Sequence, residues 1–263
     1  MVKFLSLCGM LAGALVASSA AAQESMAVKE LVPTGKLRVG VVFAPAASPF
    51  FVVKEANGEP RGVTVDLARE LGRKLDAPVE FMVVPNSGLV TDATESGAID
   101  VAFMPVDEER KKRVDFGPAY FMIESTYLAT GASGIKTVAE VDRPNVRVVG
   151  IANTTTIRAA GRSLKNTSIS AVASVDEAMA MLQSGKADAF ALSRDSLPPF
   201  VAQLPGSRIV EGGFQQTGIA IAVPKNRPNA LAYVTAFMES AKISGVVRRA
   251  LDRAGFANDP VAP

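Results

Sequence analysis

Arg110, in the run Asp107-Glu108-Glu109-Arg110-Lys111-Lys112-Arg113, is the residue with the clearest chemical use. A guanidinium just past a strand end can grip a carboxylate through two parallel hydrogen bonds. Lys111, Lys112 and Arg113 read instead as a solvated charged face, and Asp107 can cap a short helix. Asn153-Thr154-Thr155-Thr156 closes one β-branched run and opens an amphipathic one. Free backbone N–H groups, hydroxyls and a helix dipole converge there, which suits an anion and ordinary N-capping equally. Phe43, Phe50 and Phe51 flank a small-residue loop that contains Ser48. Most buried phenylalanines are core, but one of these can wall an apolar pocket.

Missing residue types narrow the chemistry. The chain has no His, and its one Cys is Cys8. It therefore cannot build a Ser-His-Asp or Cys-His centre or the His and Cys ligand sets of zinc, copper or haem, so neither metal nor cofactor is expected. Lys plus Arg number 28 against 26 Asp plus Glu, a net charge of +2, with three Tyr and no Trp. That balance offers no surplus for phosphates and no stacking platform, so no nucleic-acid partner is expected. Asp107, Glu108, Glu124 and Asp195 are the acids that could serve catalysis near a cleft, and each has an ordinary reading as cap, surface charge or hinge residue. The composition favours binding over catalysis.

The elements that must position these residues follow an α/β grammar. Residues 1–22 read as a secretory signal peptide, with Lys3 before an apolar run and Ala20 and Ala22 before a cleavage site, so a periplasmic protein is expected. A polar lead-in covers 23–35. Short β-branched runs at Leu37 to Phe43, Val79 to Val84 and Ile99 to Met104 read as strands, and Val63 to Leu75, apolar at i+4 steps, as a helix. The order restarts with strands at Val146 to Ala152, Ser168 to Ala173 and Ala187 to Leu192. Ser96-Gly97-Ala98-Ile99-Asp100 and Ser184-Gly185-Lys186-Ala187-Asp188 fall at the same place in each half. Two βαβαβ lobes result: lobe 1 over 36–124, lobe 2 over 125–217, and a return strand and two helices of lobe 1 over 218–263. Ligands of such sheets bind beyond the carboxyl ends of the strands. Those ends lie at Phe43 to Phe51, Met104 to Arg110, Ala152 to Thr156 and Leu192 to Asp195.

Ordered blocks along nearly the whole chain resemble the family 3 extracellular solute-binding proteins, the amino-acid-binding components of ABC importers. They are Gly35-Lys36-Leu37-Arg38-Val39-Gly40-Val41, Gly62-Val63-Thr64-Val65-Asp66-Leu67-Ala68, Ser96 to Val101, Glu109 to Phe116 with Pro118-Ala119-Tyr120, and Gly218 to Lys225. The resemblance implies the two-lobe type II periplasmic binding protein fold, with two parallel-type sheets flanked by helices, a ligand cleft between the lobes, and hinges near Ile123 to Leu128 and Gln215 to Ile219. It places Arg110 where the family clamps the ligand carboxylate, and Thr155 and Thr156, beside Asn153, where the second lobe completes the grip. Phe103 and Met104 stand where a Ser/Thr-rich stretch is common. Ser193 and Arg194 stand where an ammonium-binding aspartate is common, and Asp195 comes two positions late. With Ser48, Phe43 and Phe50 from the first loop, these residues form the expected ligand set. The carboxylate grip therefore reads as retained and the ammonium grip as degraded. The expected solute is a small carboxylate that lacks the α-amino group or carries an apolar side chain against Phe103, with an ordinary amino acid as the other option, and Arg194 is placed to meet a second anionic group. A monomer delivering its solute to an ABC transporter permease is the implied role. A cyclohexadienyl-dehydratase-like periplasmic enzyme on the same scaffold is the alternative.

Overall fold

The computed structural model describes residues 23–43, 48–54 and 58–263. The expected signal peptide lies outside them, as do Ala44 to Ala47 of the first loop. The polar lead-in is not a bare connection but a helix, α1, over residues 23–31, whose Ala27 and Leu31 are buried. There follow β1 (Leu37–Val42), β2 (Val53–Lys54), β3 (Pro60–Arg61), α2 (Val63–Lys74), β4 (Val79–Val84), α3 (Ser87–Glu95), β5 (Val101–Pro105), α4 (Glu108–Lys111) and β6 (Val114–Ala129). The second half runs through α5 (Val138–Val141), β7 (Val148–Ile151), α6 (Thr155–Ser163), β8 (Ile169–Val172), α7 (Val175–Gln183), β9 (Ala189–Ser193), α8 (Pro198–Gln203) and β10 (Arg208–Ile209). It closes with β11 (Gln215–Pro224), α9 (Pro228–Ile243) and α10 (Val246–Arg253).

In lobe 1, β1 lies parallel between β4 and β5; in lobe 2, β7 lies parallel between β8 and β9. The two expected sheets run into one another: the strand order is β4-β1-β5-β11-β6-β9-β7-β8, with β10 on β6. The joint is made by β6 and β11, which pair antiparallel from Ser125 and Gln215 to Val114 and Pro224. Each then pairs antiparallel with one lobe, β11 with β5 and β6 with β9. The segments expected as hinges are thus parts of two long strands shared by both lobes. Pro118 and Gly117 interrupt β6 without ending it, because the register shifts beside Ala119, where a β-bulge absorbs the missing donor.

Lobe 1 holds the larger core, in which α2, α9 and α10 cover the sheet through Leu67, Leu71, Val234, Phe237, Val247 and Leu251. Lobe 2 splits its core between the two faces of its sheet, around Tyr127 and Val148 on one and Phe190 and Val149 on the other. The helices between parallel strands turn every β1, β5, β7 and β9 carboxyl end toward the same interlobe cleft.

Candidate functional site

The cleft encloses a cavity of about 90 Å³, built where those strand ends meet the N-termini of α3 and α6. Asn86 caps α3, its side chain accepting from the N–H groups of Gly88 and Leu89, so Ser87 at the first helical position faces the cavity. Thr154 caps α6 by accepting from Ile157 N–H, which leaves Thr155 and Thr156 in the buried first turn, also on the cavity wall. Both helices thus direct their positive ends and unpaired N–H groups at the same cavity.

Arg110 is carried beside them by α4. Asp107 caps this short helix through the N–H groups of Glu109 and Arg110. The Arg110 side chain is only 3% exposed; its Nη1 donates to Pro105 O at 2.8 Å and its Nη2 to Ser87 Oγ at 2.7 Å. Nη2 also reaches the carbonyl of Asn153 in lobe 2 at 3.4 Å. No carboxylate among the described residues pairs with this guanidinium. Burial, together with the nearby Arg158 charge, lowers its pKa to about 9, and it remains a cation at neutral pH. It stands directly behind Ser87 and Pro105 rather than on the wall itself.

A second polar cluster comes from β9 and the turn after it. Ser193 donates to Ser196, and Asp195 Oδ2 accepts from Ser48 Oγ of lobe 1 at 2.6 Å and from Ser196 Oγ at 3.4 Å. Asp195 Oδ1 is sealed from solvent with no hydrogen-bond partner, and burial raises the carboxyl's pKa. Ser48, Ser193 and Ser196 line the cavity.

The lobes also meet at the rim. Asp107 Oδ2 pairs with Arg158 of α6 at 3.0 Å. Burial pushes the Asp107 pKa up, but the charge and hydrogen bond of Arg158 outweigh it and hold the carboxyl below its ordinary value. Gly88 approaches Asn153 so closely that a Cβ would stand 2.7 Å from the Asn153 Cβ, so α3 needs glycine there for the lobes to touch. Asn153 itself takes a left-handed conformation, φ +61°, which asparagine tolerates better than most residues, and its carbonyl accepts from Arg110 across the cleft.

Of the residues expected from sequence, Thr155, Thr156, Ser193, Ser48 and Phe43 lie on the cavity wall, and Arg110 and Asn153 join across the cleft next to it. Four expectations are corrected. Phe103 and Met104 are fully buried in β5, Phe103 against Tyr120 and Met104 with its sulfur on Thr91 Oγ1, because a strand covered on both faces exposes only its end. Phe50 packs inward on Phe121 and Tyr120, and its neighbour Phe51, whose ring meets that of Phe50 edge-on at 5.0 Å, lines the cavity instead. Arg194 is not free for an anionic ligand: its Nε pairs with Glu124, and its Nη2 caps the carbonyls of Gly212 and Val210. Ser87, Ser196, Val175 and Phe200 were not foreseen as wall residues; of these, Ser87 had a signal, since a serine at a helix start before a strand-end arginine is a natural partner for it.

Two α/β lobes on a shared sheet, touching across a cleft at their strand ends, define a ligand-closing protein of the periplasmic binding protein type. The chain belongs to the bacterial extracellular solute-binding proteins, family 3, whose pattern it matches over residues 38–255. The glutamine-binding protein of Geobacillus stearothermophilus is 24% identical over 207 residues, 77% of this chain and 78% of the relative. An ancestral amino acid-binding protein described as a precursor of cyclohexadienyl dehydratase superposes with a TM-score of 0.72 at 29% identity, covering 86% of this chain and 98% of its own. The solute receptor for L-cysteine of Neisseria gonorrhoeae shares the fold, with a TM-score of 0.75 at 22% identity over 86% of this chain and 92% of the receptor. The fold supports a periplasmic location.

Proposed function

We propose that this protein captures a small carboxylate-bearing solute, an amino acid or related organic acid, and presents it to an ABC transporter permease. One observation carries the reading: a buried arginine without a carboxylate partner stands between two helix N-termini that open on one cavity. Three sources of positive potential at one point suit a carboxylate, and an anion in the cavity would offset the cost of burying the Arg110 charge just behind Ser87 and Pro105. Loading on lobe 1 and closure onto α6 would then seal the solute from water, with β6 and β11 flexing between the lobes. The relatives whose names describe glutamine or amino-acid binding agree with this role. We take the protein to be a monomer and a binder rather than a catalyst, since no acidic or basic side chain among the described residues lines the cavity. Incubation with a cyclic hydroxy acid should leave it unchanged, and turnover would instead favour the dehydratase-like alternative. Titration calorimetry should find that Arg110→Ala weakens binding of the best carboxylate solute by about 30-fold or more. Undiminished affinity would remove Arg110 from the site.

A further inference from the structure

Asp107 does more than cap the helix that carries Arg110. Capping takes one oxygen: Oδ1 accepts from the N–H of Glu109 at 2.9 Å and from that of Arg110 at 3.3 Å. A neutral asparagine or serine would serve there as well. The second oxygen and the charge are spent across the cleft, where Arg158 of α6 donates from Nε to Oδ2 at 3.1 Å and brings Nη2 to 3.0 Å from the same oxygen. The Asp107 side chain is 4% exposed and that of Arg158 27%, so water screens the pair only in part. Nη2 of Arg158 is itself shut from solvent without a hydrogen bond, and among the described residues no acid of its own lobe pairs with it. The partner of this arginine is in the other lobe.

Neither residue lines the cavity. The contacts of Arg110 with Asn153 and of Ser48 with Asp195 also cross the cleft, but they use groups in or beside the solute site. The Asp107–Arg158 pair can form whether or not that site is filled. Closure also carries the Arg158 charge toward Arg110. Burial is the main influence lowering the Arg110 pKa; the Arg158 charge lowers it further, and the Asp107 charge raises it. Asp107 is thus the counter-charge that allows two guanidiniums to stand together when the lobes meet. Gly88 against Asn153 supplies the close approach that the pair needs.

We infer that Asp107 and Arg158 form a latch that holds the lobes together without help from the solute, Asp107 being a positioning residue that links the helix of Arg110 to closure. The inference goes beyond the capture of a carboxylate and does not depend on it, since the latch is read on the protein alone.

The test is the distance between nitroxide labels on Ser96→Cys of lobe 1 and Ser184→Cys of lobe 2, both exposed, in a Cys8→Ser background. It is measured by pulsed double electron–electron resonance on protein freed of carried-over solute by unfolding and refolding. Gly88→Ala, whose added Cβ would stand 2.7 Å from that of Asn153, marks the open distance. With Asp107 and Arg158 intact, a second, closed distance should be populated. Arg158→Gln should lower the closed-to-open ratio by about 10-fold. Asp107→Asn, which keeps the cap of α4 but leaves Arg158 facing Arg110, should lower it further. Combining Asp107→Asn with Arg158→Gln should restore part of that loss, because the uncompensated charge is gone; damage to the fold would not be repaired by a second substitution. A protein found only at the Gly88→Ala distance before either residue is changed overturns the latch. So does a ratio that neither substitution moves, or a double variant more open than Asp107→Asn.

Discussion

Both lobes use one clamp at the start of their central strand, and the two clamps differ in what covers them. In lobe 1, Asp100 accepts from Arg38 N, Nε and Nη2 at 3.0, 2.9 and 2.6 Å, and returns its own N–H to Arg38 O. In lobe 2, Asp188 accepts from Arg147 N, Nε and Nη2 at 2.9, 2.9 and 2.7 Å and returns its N–H to Arg147 O. Yet the Asp100 side chain is fully buried and Arg38 is 25% exposed, whereas Asp188 is 18% and Arg147 55% exposed. The cover over lobe 1 comes from the ends of the chain: Arg227, just before α9, donates to Asp100 and to the carbonyl of Glu30, and the Glu30 carboxylate caps α9 through Asn229 and Ala230. One sequence motif thus gives two different energetic weights, set by whether other elements exclude water from it.

The largest expected effect is that of Asp100→Ala. Removing one partner of a buried pair costs about 3 to 5 kcal/mol, because Arg38 and Arg227 lose their acceptor together. For a chain of this size that lowers the melting midpoint by roughly 6 to 20 °C. A shift no larger than that of Asp188→Ala would break the comparison. Arg227→Ala should come next, since it leaves the Arg38–Asp100 pair intact and lifts only its cover; a melting loss of about a third of the Asp100→Ala effect is expected, with increased amide exchange in α1 as the readout.

Asp188→Ala should have a small effect, because an ion pair open to water is weakened by solvent and salt. Its pH dependence sharpens the contrast. Hydrogen bonding from Arg147 holds the Asp188 pKa below its ordinary value. The folded state therefore binds this proton less tightly than the unfolded one. The stability it contributes is present in full above the ordinary aspartate value of about 4 and is lost as pH falls through the lower folded value. The melting difference between the native protein and Asp188→Ala should accordingly be constant at neutral pH and vanish in acid. A difference that persists below pH 3 would mean that packing, not charge, is what the variant removes.

The paired clamps also explain why so much of the fold was legible in the sequence. The Ser-Gly turn and its following aspartate recur because each closes a helix and then secures the central strand of its lobe, so the repeat of residues carried the repeat of structure. Parallel strands and amphipathic helices such as α2 showed their periods. The strand β6 did not, since it is buried along most of its length, carries Gly117 and Pro118, and changes partners midway, leaving no alternation to read. In the site, residues fixed by local chemistry were legible, as Thr155, Thr156 and the position of Arg110 were. Those decided by long-range partners were not. Arg194 is held by Glu124, 70 positions away, and Phe50 and Phe51 lie in a turn, where no alternation tells which ring reaches the cavity.

The smallest expected effect compares the two lobes through tyrosines on the same strand. Tyr120 in lobe 1 and Tyr127 in lobe 2 are both fully buried, and neither hydroxyl has a hydrogen-bond partner. Burial raises the pKa of each, and for Tyr127 the neighbourhood of Ser163 moderates the rise, to about 12. Ser163 lies near enough to influence that hydroxyl although its own hydrogen goes to Ala160 O. An unpaired buried hydroxyl is a liability, so its removal is stabilising where nothing polar adjoins it and close to neutral where something does. Tyr120→Phe should therefore raise stability by about 1 kcal/mol, a gain of roughly 2 to 4 °C in melting midpoint, and Tyr127→Phe should change it by less. If Tyr127→Phe stabilises as much as Tyr120→Phe, the Ser163 neighbourhood has no energetic weight, and the two tyrosines differ only in the lobe that buries them.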